Sequence, residues 1–189
     1  ENLQKIGAFK FRGAMNSILK LDDDKKNVLA WSSGNHAQAI ASACYLTNKN
    51  ATIVMPEDSP NAKLNGTKSW GANVVTFDRY SESREEIGTN LAKEINAEII
   101  PPFDHPDVIN GQGTVGYEII NDCKKNNLIP DLVLCCCGGG GLIAGVSTAI
   151  KAEYPNMPVY AVEPEDYNDT FLSLKNNKIT EVDVSKKSI

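Results

Sequence analysis

Short apolar runs alternate with helix-spaced stretches along most of this chain, and that alternation restricts the fold more than any other feature. The runs are 28–31, 51–55, 74–77, 98–100, 132–137 and 159–162. Between them, Phe11, Ala14, Ile18 and Leu21 recur at helical spacing after Lys10, and helical patterns follow at 35–47, 60–69, 82–96, after Gly113, and at 142–154. Strands separated by helices are βαβ units, and these demand a parallel sheet covered on both faces. The expected fold class is therefore α/β. Residues 103–112 form the main long connection, expected to cross between two sheets, and the polar tail after Lys175 is expected to be loop.

Composition narrows the partners. The 189 residues are 41% hydrophobic, enough for a sizeable core, and carry a formal net charge of -5. Lys and Arg never run longer than a pair, so no basic stripe suggests nucleic acid. No apolar run approaches the ~20 residues of a membrane helix. Cys135, Cys136 and Cys137 are consecutive, so on a strand they point to alternating faces and cannot converge on one metal. They read as small hydrophobes of a buried strand, and this cysteine usage fits a reducing, cytoplasmic setting. The chain opens at Glu1 without a Met and closes at Ile189 without a terminating element, so both ends read as cut.

Several stretches carry chemistry. Ser32-Ser33-Gly34-Asn35-His36 is a tight polar turn from strand to helix, which gathers backbone N–H groups, two hydroxyls and an imidazole into an anion site. Gly138 to Gly141 sit between the strand at 132–137 and the next helix, where backbone can approach a phosphate closely. Read as Gly139-x-Gly141-x-x-Ala144, with Glu163 after the following strand, that stretch also fits a loose dinucleotide fingerprint and hence a nicotinamide oxidoreductase. The plainer alternative is a turn that packs tightly.

Lys10 lies in Gly7-Ala8-Phe9-Lys10-Phe11-Arg12-Gly13, where desolvation between aromatics, with Arg12 near, would favour the neutral amine that Schiff-base chemistry requires. A lysine there is otherwise a surface residue. Glu163, Tyr167 and Asp169 belong to an oxygen-rich loop whose spacing suits Mg²⁺ or Ca²⁺, against the plainer reading of an acidic helix cap. Arg84 opens a helix as a carboxylate clamp or as an ordinary exposed arginine.

Taken together, these motifs resemble the β-family, or fold type II, of pyridoxal-phosphate enzymes, with its two-domain, parallel-sheet, tryptophan synthase β-like fold. The order matches across nearly the whole chain: Gly-Ala-Phe-Lys-Phe-Arg-Gly-Ala, Ser-Ser-Gly-Asn-His, Gly111-Gln112-Gly113-Thr114, the tetraglycine, and Glu-Pro after a strand. The resemblance implies that Lys10 holds pyridoxal phosphate covalently beside Phe9 and that Gly138, Gly139, Gly140 and Gly141 cradle its phosphate. Asn35 would bond the ring hydroxyl, and Ser32, Asn35 and His36 would hold the substrate carboxylate.

Within that family, threonine dehydratases usually read Ser-Ala-Gly-Asn-His and serine racemases Ser-Ser-Gly-Asn-His. By resemblance, Lys10 and Ser33 are thus the two acid/base groups of a racemase, Arg84 joins the substrate site, and Glu163, Tyr167 and Asp169 bind Mg²⁺ or Ca²⁺. The implied activity is serine racemisation with accompanying elimination to pyruvate and ammonia. Dehydration of serine, threonine or 3-hydroxyaspartate is the alternative, since Ala37 departs from the glycine of animal racemases and this turn is associated with 3-hydroxyaspartate dehydration in yeast-like relatives. A non-catalytic remnant is a third reading. The same resemblance implies a homodimer, a ring-nitrogen partner beyond Ile189, a small βαβ domain at 27–104, and a larger domain built from 1–26 and 105–189. Cofactor and amino-acid substrate would lie in the cleft between the domains.

Overall fold

The computed structural model describes residues 1–182 and divides into two units, Glu1–Gln112 and the remainder. In the first unit the elements are α1 (Lys10–Leu19), β1 (Asn27–Trp31), α2 (Asn35–Leu46), β2 (Asn50–Pro56), α3 (Asn61–Ser69), β3 (Asn73–Phe77), α4 (Arg84–Glu94) and β4 (Ala97–Ile99), followed by the start of α5 (Pro106–Lys125). The four strands form one parallel sheet in the order β3-β2-β1-β4, so the expected α/β class holds.

Side chains on a strand alternate between faces, and here both faces are covered. Val28 and Ala30 of β1 and Ile53 and Met55 of β2 join Ile18, Ile40 and Val108 in one core. Leu29 and Val54 point the other way, onto Phe77 and onto Ala92 of α4. Burying a side chain such as Ile53 completely contributes about 2 kcal/mol. α2 is buried almost all round because Ala37, Ala39, Ala41 and Ala43 are small enough to let neighbouring elements close over it.

The second unit takes the rest of α5, then β5 (Val133–Cys136), α6 (Gly141–Glu153), β6 (Val159–Val162) and α7 (Asp169–Asn176). β5 and β6 pair in parallel, and Cys135, Val146, Ile150 and Met157 form their core. Cys135 and Cys137 are buried as expected, whereas Cys136 is exposed, because successive strand side chains alternate and it points to the opposite face from Cys135.

The connection expected at 103–112 is replaced over most of its length by helix. α5 starts at Pro106, a residue pre-shaped for the first helical position, and His105 Nδ1 accepts Asp107 N–H at 3.2 Å. Gly111 and Gly113 do not break the helix. A Cβ at Gly111 would stand 2.5 Å from Arg12 O, and one at Gly113 would stand 3.1 Å from Gly145 O. Among the described residues, no helix is long and apolar enough to cross a membrane.

Candidate active site

β1 ends in a turn that leaves donors unspent. Ser32 N–H donates to Val54 O, and Ser32 Oγ accepts Gly34 N–H at 3.2 Å. Gly34 caps α2 without a side-chain bond, and the N–H groups of Asn35, His36 and Ala37 precede the first helical bond, from Gln38 to Gly34. Three amides at a helix N-terminus attract an anion.

Lys63 was not singled out in the sequence, yet a Cβ at Gly34 would stand 3.1 Å from its Nζ. The signal was available: Lys63 sits in the first turn of α3, which carries no acid, against the preference for negative charge there.

At the C-terminal ends of β1, β2 and β3 lies a cavity of about 260 Å³, lined by Ser32, Ser33, Ser83 and Arg84 among others. The turn and the head of α4 thus share one recess. Ser83 Oγ accepts Glu86 N–H at 3.2 Å and so starts α4. Arg84 Nε bonds Glu85 at 2.7 Å, and both side chains are half exposed.

His36 departs from the sequence-based picture. It lies in the first turn of α2, on the face it shares with Ile40 and Cys44, and its imidazole is buried in the core. Nε2 meets Ile100 O at 2.9 Å, and among the described residues Nδ1 has no hydrogen-bond partner. Burial pushes its pKa down to about 4, so the ring is neutral at pH 7. What His36 offers the turn is its backbone N–H.

Lys10 is the first residue of α1. Its Nζ donates to Pro102 O at 2.5 Å, with the ring centres of Phe9 and Phe103 at 5.2 and 6.0 Å. Burial holds the amine below the ordinary lysine range. Arg12 does not cause this, because it pairs with Glu1 at 2.8 Å. Phe103 was hidden from the sequence reading in the supposed connection.

In the second unit Gly138 to Gly141 join β5 to α6. Gly140 has φ 82°, a left-handed conformation that favours glycine, and Gly141 opens the helix. A Cβ at Gly138 or Gly140 would meet nothing within 4 Å, so open space faces this backbone. An open glycine loop at a helix N-terminus fits a phosphate, as the half-buried Lys10 amine, within its own unit, fits an aldehyde.

The acidic loop is arranged differently from a metal site. Both Glu163 oxygens accept backbone N–H groups, of Thr170 at 3.0 Å and Phe171 at 2.9 Å, and so cap α7. Among the described residues, no group of three His, Cys, Asp or Glu side chains stands ready to hold a metal ion.

Known proteins resemble this chain in sequence and fold. The family described as "Pyridoxal-phosphate dependent enzyme" matches residues 1–189. An L-threo-3-hydroxyaspartate ammonia-lyase of Saccharomyces cerevisiae is 46% identical over 188 residues, covering 98% of this chain and 56% of its own length. A serine racemase of Schizosaccharomyces pombe is 43% identical, covering 98% and 57%. A solved serine racemase from maize matches 96% of this chain and 55% of its own, with TM-score 0.91 and 38% identity. The chain thus spans little more than half the length of the curated relatives it matches. The nicotinamide fingerprint at Gly139 is set aside, and pyridoxal phosphate is the cofactor the match implies. The chain belongs to the pyridoxal-phosphate dependent enzyme family.

Proposed function

We propose that the protein containing this chain racemises serine and also eliminates its hydroxyl to give pyruvate and ammonia. The observation that carries this reading is Ser33, a second hydroxyl in the anion turn that lines the cavity shared with Arg84. Racemisation needs a proton acceptor and a donor on opposite sides of Cα, and one lysine serves only one side. Lys10, held below its ordinary pKa by burial, takes the α-proton from the L enantiomer, and Ser33 Oγ returns a proton from the other side. The amides of Asn35, His36 and Ala37, with Ser32 beside them, hold the α-carboxylate. Asn35 would bond the ring hydroxyl of the cofactor, Phe9 would flank it, and Gly138 to Gly141 would hold its phosphate. When bound, pyridoxal phosphate supplies an electron sink for the charge left on Cα. In this reading 27–104 is the small domain and the flanking segments belong to the larger one.

A second reading, dehydration of 3-hydroxyaspartate, is favoured by the 46% identity to a lyase of that name. Arg84 would then clamp the side-chain carboxylate. Mg²⁺ or Ca²⁺ at Glu163, the Tyr167 carbonyl and Asp169 would be structural. The all-oxygen donor set suits it, but Glu163 would first have to leave two amides.

The test is to give the full-length protein L-serine and measure D-serine and pyruvate together. Pyruvate without D-serine moves the assignment to a dehydratase. With pyruvate and ammonia from L-threo-3-hydroxyaspartate, the second reading stands.

A further inference from the structure

Gln112, in the Gly-Gln-Gly stretch that no step above uses, is only 1% exposed. Its Oε1 accepts Gly13 N–H at 3.2 Å, from the far end of the unit's sequence. Gly13 lies in the first turn of α1, the helix that begins at Lys10. That helix has no cap of its own: Phe9 is already helical, makes no side-chain cap, and the first turn carries no acid. The first-turn amides of Phe11 and Arg12 donate to Ala8 O and Phe9 O, and the acceptor from α5 holds the next amide along, that of Gly13.

The approach leaves no slack. A Cβ at Gly13 would stand 2.5 Å from Gln112 Nε2, and one at Gly111 would stand 2.5 Å from Arg12 O. Further along the same two helices, Asn16 Nδ2 donates to Asp107 O at 2.7 Å and Lys20 pairs with Asp107 at 2.5 Å. Among the described residues, Gln112 Nε2 meanwhile has no hydrogen-bond partner. A buried donor left unpaired is a standing cost, and such costs gather where geometry serves function.

We propose that Gln112 is the positioning residue of Lys10: its amide oxygen fixes the rise and rotation of α1, and so keeps the Lys10 amine on the Pro102 carbonyl beside Phe9 and Phe103. This rests on the reading of Lys10 as the cofactor lysine. Methionine at 112 keeps the volume and removes the acceptor. Asparagine keeps the amide but is one methylene too short to reach Gly13.

The experiment uses the full-length protein, wild type, Gln112→Met and Gln112→Asn. In cofactor-free protein, formaldehyde and a borohydride methylate lysine amines, and mass spectrometry reads the pH midpoint at Lys10, with Lys49 as the internal standard. In the loaded enzyme, kcat and KM are measured. In whichever variants fold, the Lys10 midpoint shifts by at least ~0.5 unit while that of Lys49 stays put. Misplacing a reacting group by about 1 Å costs up to ~10²-fold, so kcat falls at least ~10-fold with KM within ~2-fold. A folded variant of either kind with Lys10 midpoint and kcat unchanged overturns the proposal. Failure of the underlying reading looks different: the visible band of the loaded protein would survive Lys10→Ala, whatever Gln112 does to the Lys10 midpoint.

Discussion

Lys10 and His36 are anchored two residues apart on one extended stretch: Lys10 Nζ donates to Pro102 O, and His36 Nε2 meets Ile100 O. Burial is the main cause that lowers the His36 pKa, and the charge of the half-buried Lys10 amine adds to it. An amine that burial holds below the ordinary lysine range thus stands near an imidazole that stays neutral at pH 7.

Lys10→Ala should abolish the visible absorbance of the cofactor-loaded protein, because the absorbing species requires the covalent bond to that amine. The check is a spectrum of the purified full-length variant with added pyridoxal phosphate. A retained band assigns the bond to another lysine.

His36 makes folding stability depend on pH. Its folded pKa of about 4 lies below the ordinary 6.5, so between those values the unfolded chain binds more protons. Its contribution is complete above pH 6.5 and is lost as pH falls toward 4, by up to about 3 kcal/mol. Urea unfolding at pH 4.5 and 7 should show a smaller pH difference in His36→Gln than in wild type. Equal differences would place the acid sensitivity elsewhere.

Arg84 is exposed and pairs, among the described residues, with its neighbour Glu85, so Arg84→Ala should change stability by no more than about 0.5 kcal/mol. A clamp on a second carboxylate would still show in kinetics: KM for 3-hydroxyaspartate should rise at least ~10-fold more than KM for serine. Equal increases would assign Arg84 to the α-carboxylate common to both.

Glu163→Gln removes the charge from the α7 cap, which should cost about 1 kcal/mol. Added Ca²⁺ should raise the melting temperature of the wild type and leave that of Glu163→Gln unmoved. If both respond alike, the ion binds at another place, and if neither does, Glu163 is a helix cap alone.

Much of the candidate site was legible where periodicity is strong. The strand ending at Trp31, the polar turn and the helix through Ile40 announce themselves as a short continuous apolar run, a Ser/Gly/Asn turn and then apolar residues at period 3.6. What sequence hid depends on partners far along the chain. The start of α5 at Pro106 fell inside the connection expected at 103–112, and the glycines at 111 and 113 are explained by the close approach of the Arg12 and Gly145 backbone. The acceptor role of Gln112 is hidden in the same way, since it needs Gly13 far back along the chain. The inward turn of His36 was written in its spacing to Ile40, but the polar company of Ser32 to Asn35 suggested the opposite. Glu163 read as a ligand because an acidic loop does not reveal which backbone amides will claim its oxygens.

The central claim is a division of labour between Lys10 and Ser33, and chiral analysis of the full-length Ser33→Ala variant on L-serine tests it most directly. Interconversion of the serine enantiomers should fall by at least ~10²-fold, the usual worth of a general acid or base, while pyruvate formation from L-serine persists. D-serine formed at the wild-type rate, or both products lost in equal measure, would contradict it.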